Sequence, residues 1–174
     1  MTTAKEIIAR YQLEPLDHEG GFRSAKSGGA KAGSTIRTLG TPIPQAGTTS
    51  WAPSSSHLLT ADSFSAMHRL PTAEHWLYHL GDPAEMLLLH PDGSGQLRIL
   101  GPDLQAHQEI RLTVPPGSWQ GTKLAPQKDG CGYCFCSCMM GPGFEWSDFE
   151  LGDAASLCRD YPKHSQAING RTRD

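Results

Sequence analysis

The chain predicts an all-β domain: an antiparallel sandwich or barrel of short strands, with a short helix near each end. Three observations carry that expectation. From residue 57 to residue 151, apolar stretches of strand length alternate with turn chemistry. No helical periodicity intervenes between them, as a parallel βαβ arrangement would require. The helix-start signatures, Thr3 with Glu6 and Asp153 ahead of Ala154, lie outside that stretch.

Taken in order, Thr3-Ala4-Lys5-Glu6 is a capping-box pattern, and Ile7, Ile8 and Tyr11 recur at helical spacing, which predicts a helix over 4–12. A helix that short is unstable alone, so it must dock on the rest. Residues 24–56 are rich in Gly, Ser, Thr, Ala and Pro, with Ile36, Leu39 and Ile43 as sparse apolar anchors, and predict loops with one or two weak strands. Strands follow at 85–90, 96–100, 110–114 and 133–140. Turns such as Gly81-Asp82-Pro83, Pro91-Asp92-Gly93, Gly101-Pro102-Asp103 and Pro115-Pro116-Gly117 bound them. Residues 153–158 read as a capped helix stopped near Tyr161-Pro162. Beyond it, the basic cluster from Lys163 to Arg173 reads as a flexible, solvated tail at 163–174, leaving a core of about 7–162.

At 174 residues the chain is read as a single domain, 1–174, long enough for a real core. The formal net charge is -3, and Lys and Arg are scattered, so nothing tracks a nucleic-acid backbone. No apolar run reaches bilayer-spanning length, and the first residues lack the apolar core of a signal peptide. The expectation is a soluble cytoplasmic protein without nucleic-acid or membrane partners.

Of the five cysteines, four crowd into 131–138. A tetrahedral zinc site needs a second ligand pair, and none follows at a suitable spacing. Cys134, Cys136 and Cys138 alternate, so in a strand they share one face, too far apart for an unstrained disulfide. Reduced thiols packed in the core are the expected state, with Cys131 and Cys134 retaining a redox or metal alternative.

The best candidate for a chemical site is His68. Alternation puts Phe64, Ala66, His68 and Leu70 on one face of their strand. In the next segment Glu74, Trp76 and Tyr78 share a face, with His75, Leu77 and His79 opposite; after the Pro115-Pro116-Gly117 turn, Ser118 and Gln120 share one. If these faces point inward, an imidazole, a carboxylate and an amide meet among aromatics, which suits a small polar ligand. His68 is then a candidate general base and Tyr78 its acid partner. Arg23, following the flexible Gly20-Gly21 pair, is a candidate anchor for a carboxylate or phosphate. Structural alternatives stand beside these: His68 as a hydrogen-bonded core residue, a structural Glu19–Arg23 pair, and an exposed His90. Trp146, Asp148 and Glu150 alternate with Phe149 and Leu151, as at a solvent-facing edge or a dimer contact.

These motifs together resemble the cupin superfamily. His68-x-Leu70, then Glu74 and Gly81, is similar to its first motif, and Pro115-x-Gly117 with Gln120 to its second. The segments Glu19-Gly20-Gly21-Phe22-Arg23, Leu87 to Gly93 and Pro142-Gly143-Phe144 to Glu150 resemble one branch, that of small single-domain cupins without an assigned reaction. The resemblance implies a double-stranded β-helix jelly roll, commonly a homodimer, related in shape to metal-independent sugar-nucleotide epimerases. Departures from the pattern are Asp62 for the first-motif glycine, Leu70 for its second histidine, Gln120 for the second-motif histidine and Leu124 for its asparagine. The implied metal set is reduced to His68, Glu74 and Gln120, with Gln120 as an oxygen donor, so the cofactor is either a weakly held divalent ion or none. His75 or His79 joins that set only if a bulge reverses the strand's parity. The expected function is isomerase, epimerase or lyase chemistry on a small sugar-like or carboxylated metabolite. In it His68 and Tyr78 are catalytic, and Glu19, Arg23, Glu74, Trp76, His79 and Gln120 bind the ligand. A non-catalytic ligand binder or sensor is the alternative, and a metal-dependent oxygenase the third.

Overall fold

The named strands pair antiparallel throughout and form two sheets, seen in a computed structural model that describes residues 2–16, 20–24, 54–141 and 146–173. The six-stranded sheet runs in the order β1 (Leu13–Pro15), β2 (Phe22–Ser24), β3 (Ser54–Thr60), β10 (Tyr133–Met140), β5 (Glu74–Gly81) and β8 (Arg111–Val114). The five-stranded sheet runs β11 (Glu150–Leu151), β4 (Phe64–Arg69), β9 (Trp119–Leu124), β6 (Ala84–Leu89) and β7 (Gly95–Leu100). Leu59, Trp76, Leu112 and Cys136 of one sheet meet Met86, Leu88 and Leu100 of the other in a shared buried core, so the sheets close face to face as a jelly roll. The expectation for 24–56 falls mainly outside the described residues; its last three belong to β3.

Each sheet also carries a helix on its outer face. α1 (Ala4–Tyr11) starts at the expected capping box: the Thr3 hydroxyl accepts from the Glu6 amide, and the Glu6 carboxylate accepts from the Thr3 amide at 2.8 Å. Its Ile7 packs with Leu58, Tyr133 and Phe135. On the other side, α2 (Ala154–Asp160), capped by Asp153, and α3 (Ser165–Asn169) bring Leu157 and Ile168 onto Met67, Leu87 and Leu89. β6 is therefore buried on both faces, with Met86 and Leu88 inward and Leu87 and Leu89 outward. That is why its sequence is a continuous apolar run rather than an alternation. None of the described helices is long and apolar enough to cross a membrane.

Two sequence expectations are corrected here. Residues 163–173 are not a solvated tail: a 3₁₀ turn at Pro162–His164 leads into α3, and Ile168 and Arg171 are each 0% exposed. Arg171 pairs with Glu85 and donates to the Ala167 carbonyl at 2.9 Å. Desolvation lowers its pKa from the ordinary arginine value, opposed by Glu85. The cluster looked solvated because nothing in the linear order shows an outward carboxylate of β6 lying beneath it.

The second correction concerns the strand of His68. Ser65 pairs with Thr122 and His68 with Gln120, so β4 holds one more residue than β9 between those pairs, a bulge that shifts parity. Ser65, not Phe64, is thus in phase with His68. The backbone at Met67 finds its partners outside the ladder: its N–H donates to the Arg171 carbonyl and its carbonyl accepts from the Gly152 N–H, both at 2.7 Å. Packing is close at this point: a Cβ at Gly121 would lie 2.5 Å from the Met67 sulfur, so a side chain there would have to displace Met67.

Cys134, Cys136 and Cys138 do share the inward face as buried free thiols. The hydrogen bond with Cys134, then burial, pushes the Cys136 thiol well above its ordinary pKa.

Two measurements test this architecture. Arg171→Ala strands Glu85 and removes the buried guanidinium, and should cost about 3 kcal/mol in urea unfolding, in the range for breaking buried pairs. A maleimide pulse on native protein, read by mass spectrometry, should label exposed Cys131 first and leave Cys134, Cys136 and Cys138 unlabelled until unfolding.

Candidate functional site

The bulge in β4 and the register of β5 and β9 bring three buried polar side chains together inside the barrel. Gln120 faces His68 directly across the β4–β9 ladder, and Glu74 opens β5 on the opposite sheet. His68, Glu74 and Gln120 are 1%, 5% and 1% exposed, so each must be satisfied by a protein partner or a ligand. Beside them lies a small pocket, partly open to solvent. Its polar wall is Arg23, Ser55, His57, His68 and Glu74; its apolar wall is Leu70, Trp76, Cys138, Met140 and Phe149.

The hydrogen bonds fix most of the orientations. His68 Nδ1 lies 2.7 Å from the Ala66 carbonyl. A carbonyl only accepts, so Nδ1 carries the hydrogen and Nε2 is left to face Glu74. The Nε2 to carboxylate separation is 3.9 Å, too long for a direct hydrogen bond and short enough for strong attraction when the ring is charged. The Phe149 ring stacks on the imidazole at 5.1 Å between centroids and closes the other side. Glu74 accepts from the Gln120 amide, and the Gln120 oxygen accepts from the Trp76 indole N–H at 3.0 Å. On the facing sheet, the Ser55 hydroxyl and His57 Nε2 are 2.8 Å apart, with the His57 ring 5.1 Å from Trp76.

That network decides how well the residues fit a metal. An indole N–H is only a donor, so it holds the Gln120 oxygen toward Trp76 and turns the amide N–H toward Glu74. An ion beside His68 and Glu74 would meet an N–H instead of a lone pair. The oxygen-donor role expected for Gln120 is therefore overturned. Leu70, at the second histidine position, is buried and apolar. Among the described residues, no group of three His, Cys, Asp or Glu side chains converges as a metal would need. The donor set does not fit a tightly held divalent ion.

The other expected site residues divide. Arg23 and Trp76 line the cavity. Tyr78 is absent from its lining: its hydroxyl donates to the Gly81 carbonyl at 2.6 Å, and burial, then nearby Cys134, Cys131 and Asp82, pushes its pKa to about 12. That phenol does not reach His68 as an acid partner. His79 lies on the outer face, bonded to the Ser137 hydroxyl at 2.9 Å and packed on Phe135, and burial lowers its pKa. The shift between Phe135 and Cys136 in the β5–β10 pairing does not bring it inward. His75 bonds Thr113, also away from the cavity lining. Glu19 lies outside the described residues. The Gly20-Gly21 pair lets the chain approach neighbouring backbone rather than a ligand; a Cβ at Gly20, whose φ is +91°, would lie 2.1 Å from the Phe64 carbonyl oxygen. His90 is half-buried, bonded to Ser118 at 3.1 Å.

Ser55, His57, Cys138, Met140 and Phe149 were not foreseen in the cavity. The alternation Ser55, His57, Leu59 was a readable signal for the first two, obscured by the adjoining Ser- and Pro-rich stretch. Phe149 had none, since it reaches His68 only because Arg69–Glu150 and His68–Leu151 pairing lays β11 along β4.

Two antiparallel sheets closed around a buried imidazole, carboxylate and amide define a cupin-type barrel. The chain belongs to the family described as Cupin superfamily (DUF985), whose model matches residues 5–152. Among solved structures it is similar to a protein from Leishmania major, 27% identical over 99% of this chain and 100% of that one, with a TM-score of 0.79. It is also similar to a protein from Shewanella oneidensis, 29% identical over 99% of both chains, with a TM-score of 0.78. A cupin 2 conserved barrel domain protein from Rhodopseudomonas palustris shares the fold at 11% identity, covering 92% of this chain and 86% of that one, with a TM-score of 0.52. No curated protein matches the chain.

The hydrogen-bonded chain makes a double-mutant prediction. Gln120→Leu leaves both the Trp76 N–H and the Glu74 carboxylate without their partner and should cost about 3 kcal/mol. Adding Glu74→Leu should recover part of that loss, giving a coupling of about 1–3 kcal/mol in a denaturation cycle.

Proposed function

We propose that the barrel binds a small polar metabolite, sugar-like or carboxylated, and moves a proton on it in an isomerase, epimerase or lyase reaction. The observation that carries this reading is the aim of His68. Nδ1 is tied to a backbone carbonyl, so the other nitrogen is held toward the cavity side with a carboxylate 3.9 Å away. A substrate atom entering that gap can bond both groups. Imidazole is the side chain whose ordinary pKa is nearest neutrality, which suits it to take and return a proton. The Gln120 amide donates to the Glu74 carboxylate and holds it in place beside His68. His57 and Ser55, on the facing wall, supply a second imidazole and a hydroxyl to orient the ligand. The Arg23 guanidinium in the lining favours a substrate carrying negative charge. The homodimer implied by the family resemblance and the cytoplasmic location expected from the sequence belong to the same reading; exposed Trp146 and Leu151, at the edge strand β11, support a second copy.

A panel of sugar phosphates, sugar nucleotides and hydroxy acids, screened by thermal shift and then followed by proton NMR in deuterium oxide, tests it. Wild-type protein should wash solvent deuterium into one carbon of the compound that binds. His68→Gln and His68→Ala should lower that rate by about 10²–10⁴-fold, the usual share of a general acid–base group, while keeping the native circular dichroism spectrum. Exchange that is indifferent to both substitutions would remove His68 from the chemistry. Tight binding without exchange would make the protein a binder.

A further inference from the structure

We infer that the Trp76–Gln120 pair stands in for a metal ion in this barrel: the amide N–H, aimed by the indole, holds the Glu74 carboxylate, and the pocket works without a bound divalent cation. The inference concerns what holds the Glu74 carboxylate and stands whether or not the pocket transfers protons.

The orientation of one amide carries the argument. For Gln120 to ligate an ion shared with His68 and Glu74, its oxygen must face them. Turning the amide round would set its NH₂ against the Trp76 N–H, donor against donor, and leave both unpaired inside the barrel. With Trp76 at 1% exposure and Gln120 at 1%, no water replaces the lost partner. The flipped state is therefore penalised twice, by the indole that loses its acceptor and by Glu74, which loses its donor. Among the other described lining residues, Leu70 is buried and apolar, and His57, the other imidazole, has Nε2 on the Ser55 hydroxyl. An ion needs oxygen or nitrogen lone pairs converging from at least three directions, whereas the described residues of this site offer two and an N–H. The same geometry makes Trp76 a positioning residue: its indole N–H selects which end of the Gln120 amide faces the carboxylate.

The test reads metal content and does not depend on turnover. Purified protein is dialysed against Mn²⁺, Fe²⁺ or Zn²⁺, gel-filtered and analysed by inductively coupled plasma mass spectrometry, with Tm measured with and without EDTA. Wild type should retain well below one ion per chain, with a Tm insensitive to EDTA. Trp76→Phe removes the N–H and frees the amide to turn, and should tighten Mn²⁺ binding by about tenfold in calorimetric titration, the scale of an outer partner's effect on a metal site. Gln120→Glu puts a second carboxylate beside Glu74 and His68; like charges repel there, so its Tm should fall in EDTA and rise with added Mn²⁺. Near-stoichiometric metal in the wild type, released by His68→Ala, would overturn the inference. So would a folded Trp76→Phe and a folded Gln120→Glu that both bind metal no better than wild type. Should Gln120→Glu fail to fold, the Trp76→Phe titration decides alone.

Discussion

The site depends on one irregularity, the extra residue in β4. Side chains alternate across a strand with a period of two, so inserting one residue moves everything beyond it to the other face. Without the bulge between Ser65 and His68, a strand in phase at Ser65 would turn His68 outward, where Met67 now lies beneath α2 and α3. A bulge also takes backbone groups out of the ladder, and in a buried strand those groups need partners. Here they come from Arg171 and Gly152, which clasp the N–H and the carbonyl of Met67. The C-terminal segment is thus part of what aims the imidazole, although the family match ends at residue 152.

A second constraint operates inside the barrel. Glu74 begins β5 at a buried position, where an unpaired carboxylate would be costly. The chain solves this with a relay in which each group has a single usable role: the indole donates, the amide accepts and donates, the carboxylate accepts. Such a chain has one satisfied arrangement, because reversing any member unpairs its neighbours. The polar side of the pocket is therefore rigid where it meets the apolar wall of Trp76, Cys138 and Met140. Outside the relay, the polar lining is carried by His68 on one wall and by Ser55, His57 and Arg23 on the other.

Much of this was legible in the sequence, and the failures have identifiable causes. The capping box at Thr3, the cap at Asp153, the strands of the apolar stretches and the inward cysteine row follow from local chemistry, and local chemistry settled them. Glu74, Trp76 and Gln120 share the interior because each sits in a strand whose alternation is readable, whereas His68 reaches it through the bulge. Tyr78 was misassigned because sharing a face is not sharing a place. Along β5 it lies two residues beyond Trp76, close enough to the Gly81 turn to spend its hydroxyl there. The bulge itself, the burial of Arg171 and the approach of Phe149 are products of pairing between segments far apart in sequence. No window of residues contains both Glu85 and Arg171, or both His68 and Leu151, so neither contact leaves a local trace.

The two covering layers explain why such long-range devices can be afforded by a chain of this length. In a sandwich exposed on its outer faces, every strand would alternate and the outward half of each would be polar. Here α1 covers Leu58, Tyr133 and Phe135 on one side, while α2 and α3 cover Leu87 and Leu89 on the other. The three central strands β3, β10 and β6 gain a second buried face, and the hydrophobic contribution grows with area removed from water. That additional burial supports an interior given over to imidazoles, a carboxylate and an amide instead of aliphatic chains. The covering layers are also what hold the bulge, since Met67 packs against Leu157 and Ile168 while its backbone is bonded to Arg171. Stability and site geometry are consequently coupled through the same contacts, and the outer helices belong to the functional machinery as much as the barrel they cover.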